Sequence, residues 1–220
     1  MLQKSCCVLN VVSELGDGQP KRLHRVALFS HRKFVSFYLV LLNSCMKPTA
    51  EHVRNFLNEH NQHITHWAVA HTPFHTYKAT QQQLERMKHE AQNQCRFFRR
   101  SFSQFLYQAK ALRKPEIYSP LLITTIEGVK ASPFTQDTIH FNFAIGNVPR
   151  CISTDELRQV FEHCWVDKAK LSGKNLWLQA ADCSRNTHWL NYITKEAEIG
   201  NIDTWDFQNT QIPHVALAAD

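Results

Sequence analysis

"TIHFNFAIGNVP", Thr138 to Pro149, is the stretch that decides how this chain is read. Apolar and polar positions alternate along it: Ile139, Phe141, Phe143 and Ile145 fall on one side of an extended chain, and His140, Asn142 and Ala144 on the other. A period of two is that of a strand. An imidazole and an amide two residues apart on one face of a sheet need a partner or a function, because buried polar groups must recover the hydrogen bonds they lose to water. Gly-Asn and a proline then stop the strand.

Immediately upstream lies "LLITTIEG", Leu121 to Gly128, rich in β-branched residues and carrying Glu127 at its end. The loop "VKASPFTQD" separates the two runs, so a hairpin-like connection lays them side by side and brings a carboxylate to the imidazole and the amide. Glu127, His140 and Asn142 then offer two oxygens and one nitrogen. That set suits Mg²⁺ or Mn²⁺ better than a structural Zn²⁺ site. The same side chains could equally be satisfied by one another or by water.

Downstream, "STDELRQVFEHCW" opens with Ser153 and Glu156 at capping-box spacing and continues with Leu157, Val160, Phe161 and Cys164 as an apolar stripe, which predicts an amphipathic helix reaching Trp165. "SGKNLWLQAAD" reads as a turn and a short strand, and "SRNTHWLNYITKEAE" as a helix ending near Gly200. In that helix Tyr192 and Lys195 stand at i and i+3, on one face. A tyrosine near a divalent cation and a lysine can attack a phosphodiester and remain attached as a phosphotyrosine. Tyr-x-x-Lys alone is also an ordinary helix surface.

Towards the N-terminus, "ITHWAVAHT" alternates around Trp67 and Val69 as a half-buried strand, and "KPTAEHVRNFLNEHNQ" predicts a helix capped by Thr49 with Val53, Phe56 and Leu57 inward. From Ala79 to Arg113 there is neither Gly nor Pro, which predicts the longest helix, from about Thr80 to about Lys110. Phe97, Phe98, Phe102, Phe105 and Tyr107 are expected to face the core from it, interleaved with Arg96, Arg99 and Arg100. The basic side is either a solvated face or a surface that follows a phosphate backbone.

The 220 residues suit one principal domain. Lys and Arg number 25 against 19 acidic residues, a formal charge of +6 that favours polyanionic partners. Seven scattered cysteines without a C-x-x-C pair point to neither a zinc ribbon nor a disulfide framework, and a reducing, cytoplasmic setting is expected. The most apolar run, Phe34 to Leu42, is far shorter than the ~20 residues of a membrane span. No secretory signal is read at the N-terminus. No Gly-rich phosphate loop is present, so no fused ATPase or helicase is expected.

As an ordered set, a strand ending in Glu127, the His140-apolar-Asn142 strand followed by "IGNVP", a helix with Trp165, a strand, and "WLNYITKE" resembles the HUH endonuclease superfamily, specifically the rolling-circle replication initiators of plasmids and phages. The likeness spans about Tyr118 to Glu198. It implies an α+β fold: an antiparallel sheet flanked by helices, an HUH/RRM-like core, with "ITHWAVAHT" or else "FYLVLLN" as central strand. The nicking domain would occupy 61–205, after an accessory segment at 1–60 and before a tail at 206–220. Glu127, His140 and Asn142 would hold Mg²⁺ or Mn²⁺, Tyr192 would be the nucleophile, and Lys195 would contact the scissile phosphate or orient a water. Single-stranded or hairpin DNA is the implied partner, with host replication proteins as further ones and no membrane. Arg96, Arg99, Arg100, Lys130, Arg150 and Lys174 are the candidate phosphate contacts, joined by Lys168 and Lys170. Trp67, Trp165, Trp177 and Trp189 are expected in the core more readily than as base-stacking platforms. Asn142 stands where the family usually has a second histidine. An amide oxygen still ligates Mg²⁺, while affinity for softer metals falls. A catalytically decayed DNA-binding module of the same fold, hydrolysis without a covalent intermediate, and a plain α+β protein whose motifs coincide by chance are the alternatives.

Overall fold

Four strands, β1 (Ile64–His75), β2 (Leu121–Glu127), β3 (Thr138–Gly146) and β4 (Trp177–Ala180), pair antiparallel in the order β2-β3-β1-β4. The structure is a computed structural model and describes residues 50–129, 138–182, 189, 192–193 and 204–214. Around the sheet lie the helices α1 (Ala50–His60), α2 (Gln81–Tyr107), α3 (Ala109–Arg113) and α4 (Thr154–Glu162), an α+β arrangement. "ITHWAVAHT" forms most of β1 and takes a central position, while "FYLVLLN" and the Thr49 cap lie outside the described residues.

The alternation of β3 sorts its side chains as the sequence predicts. Ile139, Phe141, Phe143 and Ile145 are buried on one face with Phe98 and Phe102 of α2, Phe161 of α4, and Trp165. Phe98 sits at the centre, its ring 4.7 Å from that of Phe161, 5.1 Å from Trp165 and 5.4 Å from Phe143. Burying each such side chain contributes about 1.5–3 kcal/mol. The expected inward run along α2 is corrected: Phe97 and Phe105 are 61% and 49% exposed, because a helix turning 100° per residue cannot face Phe97 and Phe98 the same way. Capping boxes start α2 at Thr80 and Gln83, and α4 at Ser153 and Glu156. α2 stops at Gln108, which takes φ 52° and ψ −138° before α3 resumes. After α4 the chain continues as a π-helical turn over His163–Lys168. Trp165 is buried there and donates its indole N–H to the His71 carbonyl at 3.1 Å, tying the turn to β1.

The second face carries Trp67, Leu121, Ile123 and Ala144, covered by Phe56 of α1, Ile193 and Trp205. The Phe56 and Trp205 rings lie 4.7 Å apart. α1 therefore packs on the sheet through Phe56. Residues 204–214 run along the outer edge of β2, with the Leu122 and Gln211 amides and carbonyls exchanging bonds of 2.8 and 2.7 Å and the Asp206 amide donating to the Thr124 carbonyl at 3.0 Å. An edge strand leaves a row of unpaired backbone groups, and this segment satisfies several of them.

Gly146 ends β3 where the chain meets the His63 carbonyl; a Cβ would collide with that oxygen. Asn147 takes the left-handed φ of 48° that Asn tolerates, and its amide donates to the Ser119 carbonyl at 2.7 Å. Among the described residues no helix is long and apolar enough to cross a membrane.

Candidate functional site

Register places the polar side chains in rows across the sheet. Glu127 of β2 faces His140 of β3, and His140 faces His71 of β1. In the next row Thr125, Asn142, Val69 and Trp177 follow one another across all four strands. These residues share a face with Ile123, Ala144 and Trp67, two positions further along each strand.

The three residues expected to form a metal site do converge. His140 Nε2 is 3.2 Å from Glu127 Oε2, and the Asn142 amide donates to Glu127 Oε1 at 3.0 Å and to Thr125 Oγ1 at 3.3 Å. Glu127 and Asn142 are buried and His140 is partly so. His140 Nδ1 faces the Thr138 carbonyl at 3.1 Å, which only accepts, so Nδ1 is the protonated nitrogen. Nε2 then either carries a second proton toward Glu127 or offers its lone pair to a cation shared with that carboxylate. Orientation of one ring nitrogen by a backbone carbonyl is the usual outer support of a ligating histidine.

The amide sharpens the choice. As oriented, Asn142 Oδ1 is buried without a hydrogen-bond partner among the described residues. Turned over, that oxygen would face Glu127 Oε1, an arrangement favoured with a cation between the two oxygens or a proton on the carboxyl. The donor set thus fits a hard divalent ion, with Glu127 and Asn142 supplying oxygen and His140 nitrogen. No group of three His, Cys, Asp or Glu side chains suited to a metal occurs among the described residues; the third member here is an amide.

His71 was missing from the sequence-derived set. Its ring stacks on that of His140 with centroids 4.8 Å apart and an interplanar angle of 17°, and its Nδ1 lies 2.6 Å from Thr138 Oγ1. Burial first, and His140 second, lower its pKa below the ordinary value. Extending the alternation from Trp67 and Val69 by one more step along β1 would have found it.

Tyr192 lies on the helical stretch that covers the same face, since its neighbour Ile193 is buried with Trp67, Ile123 and Ala144. The phenol ring is 42% exposed and stacks on Trp189 at 5.2 Å. Lys195 and Lys130 lie outside the described residues. The α2 arginines are not brought to this face. α2 packs on the opposite side of the sheet, and Arg96 and Arg99 donate to the side chain and backbone carbonyl of Gln208 at 3.0 and 3.1 Å. Burial lowers the Arg99 pKa from its ordinary value. Arg100, Arg150, Lys168, Lys170 and Lys174 are exposed. Compared with protein-family models, curated proteins and solved structures, the chain matches none of them.

Proposed function

We propose that this chain is a metal-dependent, single-tyrosine DNA nicking and joining protein of the HUH type that starts rolling-circle replication of a plasmid or phage. One observation carries the reading: Glu127, His140 and Asn142 meet on adjacent strands, on the face against which Ile193, next to Tyr192, is buried. Glu127, His140 and Asn142 would hold Mg²⁺ or Mn²⁺, which supplies polarisation of the scissile phosphoryl oxygen and screening of its charge. Tyr192 Oη forms a bond to phosphorus as the bond to the 3′ oxygen breaks. The phenol gives up its proton and the departing oxygen takes one, leaving a 5′-phosphotyrosine and a 3′-hydroxyl. One ester replaces another, so attack by a 3′-hydroxyl reverses the step and joins a strand. Lys195 would steady the phosphate between the two steps. A cytoplasmic setting suits the free thiols of Cys95, Cys151 and Cys164.

The test is a gel assay with the full chain, Mg²⁺ or Mn²⁺, and labelled single-stranded and hairpin DNA pools, scored for a protein-DNA adduct that survives SDS. The adduct should form in wild type and disappear in Tyr192→Phe and in chelator. The amide at position 142 favours a second reading, a decayed module that binds DNA without cutting it. DNA binding with no adduct across metals and pools would select that reading. Cleavage that persists in Tyr192→Phe would select hydrolysis without a covalent intermediate.

A further inference from the structure

The strongest feature outside the metal cluster is a run of aromatic rings at the β4 edge. Trp177 stands in the row that also holds Val69, Asn142 and Thr125, so its side chain shares their face. Two strand spacings separate it from Asn142, about 10 Å. Leu178, its neighbour, points the other way into the Phe98 core. Trp177 is nevertheless 40% exposed, on a face where Trp67 is buried. Trp189 holds it in place, with ring centroids 5.1 Å from Trp177, 5.6 Å from Trp67 and 5.2 Å from Tyr192. The result is a braced sequence of rings running from Tyr192 through Trp189 to an open indole.

Exposed cations precede β4 along the chain. Lys170 and Lys174 are exposed in the segment that leads into β4, and Arg158 of α4 donates to the Leu178 carbonyl at 3.2 Å. The nearby carboxylates of Asp155 and Asp167 are engaged by Arg158 and His163. A flat π face beside cations that can follow a phosphate backbone is the chemistry that seats unpaired bases in a sequence-tolerant way.

We propose that Trp177 is a base-stacking platform for single-stranded DNA, braced by Trp189, which seats an unpaired base beside the scissile phosphate as the strand crosses the sheet toward Glu127 and His140. The proposal rests on the DNA-nicking reading for the identity of the strand, but its readout is binding alone.

The full chain, in chelator so that no covalent step contributes, is titrated with a fluorescent oligothymidylate of about 12 nucleotides and with an abasic strand of the same length. Trp177→Ala should weaken binding of the oligothymidylate about 5- to 100-fold and leave binding of the abasic strand unchanged. Trp177→Phe should retain most of the affinity and Trp177→Leu should lose it, a pair that keeps apolar bulk at the position should the alanine variant fail to fold. Equal weakening of both strands, or of neither, overturns the platform. So does sedimentation showing that wild type is a dimer which Trp177→Leu dissociates, since the β4 edge would then seat a second copy. The same contrast measured in Tyr192→Phe should be unaltered. A Trp177 effect with no adduct from wild type sinks nicking and leaves the platform standing, and an adduct with no Trp177 effect does the reverse.

Discussion

Asn142 shows at the level of single atoms why a polar pair sits on an otherwise apolar strand. Its amide N–H groups are used by Glu127 and Thr125, and its oxygen is buried without a hydrogen-bond partner among the described residues. Asn142→Ala should lower adduct formation at least about 10-fold, because removing a group that supports a metal site costs that much or more. Asn142→His should shift the preference from Mg²⁺ toward Mn²⁺, read as the ratio of adduct formed in the two metals. A second histidine gives a pH prediction away from the site. His66 is held between Thr65 Oγ1 at 2.9 Å and Thr154 Oγ1 at 3.2 Å, and burial lowers its pKa. A histidine whose folded pKa is depressed binds its proton more readily when unfolded. Stability is therefore complete above the ordinary value near 6.5 and is lost as pH falls below it toward the folded pKa. Urea midpoints taken at about pH 7.5 and 5.5 should fall for wild type and fall less for His66→Gln. His140 and Asn142 were legible from alternation alone, and Glu127 from the short connection to the next strand. His71 falls on the same face by one more step of the β1 alternation, while its pairing with His140, 69 residues on in numbering, is a register that no local pattern encodes.

Among the elements, α2 was legible in extent but only partly in orientation. Its length followed from the absence of Gly and Pro, while the choice between Phe97 and Phe98 depends on which stripe meets β3. Phe98→Ala should cost about 3–5 kcal/mol in a denaturant melt, since four aromatic neighbours around it cannot all collapse into the space. Phe97→Ala, on the exposed side, should stay within about 0.5 kcal/mol. The break at Gln108 offers the opposite sign. A side chain at φ 52° and ψ −138° is strained, and glycine relieves that strain, so Gln108→Gly should raise stability by about 1 kcal/mol. The basic stripe of α2 invited a reading as a DNA surface. Arg96 and Arg99 donate to Gln208, a partner that arrives from beyond residue 200 and leaves no trace in the helix's own periodicity.

For the molecule as a whole, the segment near the C-terminus is the part least visible in sequence. Residues 206–220 read as a loop-rich tail because they carry neither period, and of them 206–214 are described, with Asp206, Asn209 and Pro213 buried. Their burial comes from an edge strand in need of partners and from a polar knot: Asp206 accepts from Gln92 at 3.2 Å and from Asn209 at 2.5 Å. Burial raises the Asp206 pKa, and the hydrogen bonds oppose that shift. Asp206→Ala would strand both donors at a cost of about 1–3 kcal/mol, and limited proteolysis should then cut within 204–214 before anywhere else in the sheet domain. The contact between Phe56 and Trp205 has a further consequence, one of timing. Two residues from far ends of the described chain close the same cluster, so that face of the sheet cannot be fully covered while Trp205 is still in the ribosome. The proposed nicking activity would thus await synthesis of the chain past Trp205, and a translation product truncated before it would carry Tyr192 without that cluster.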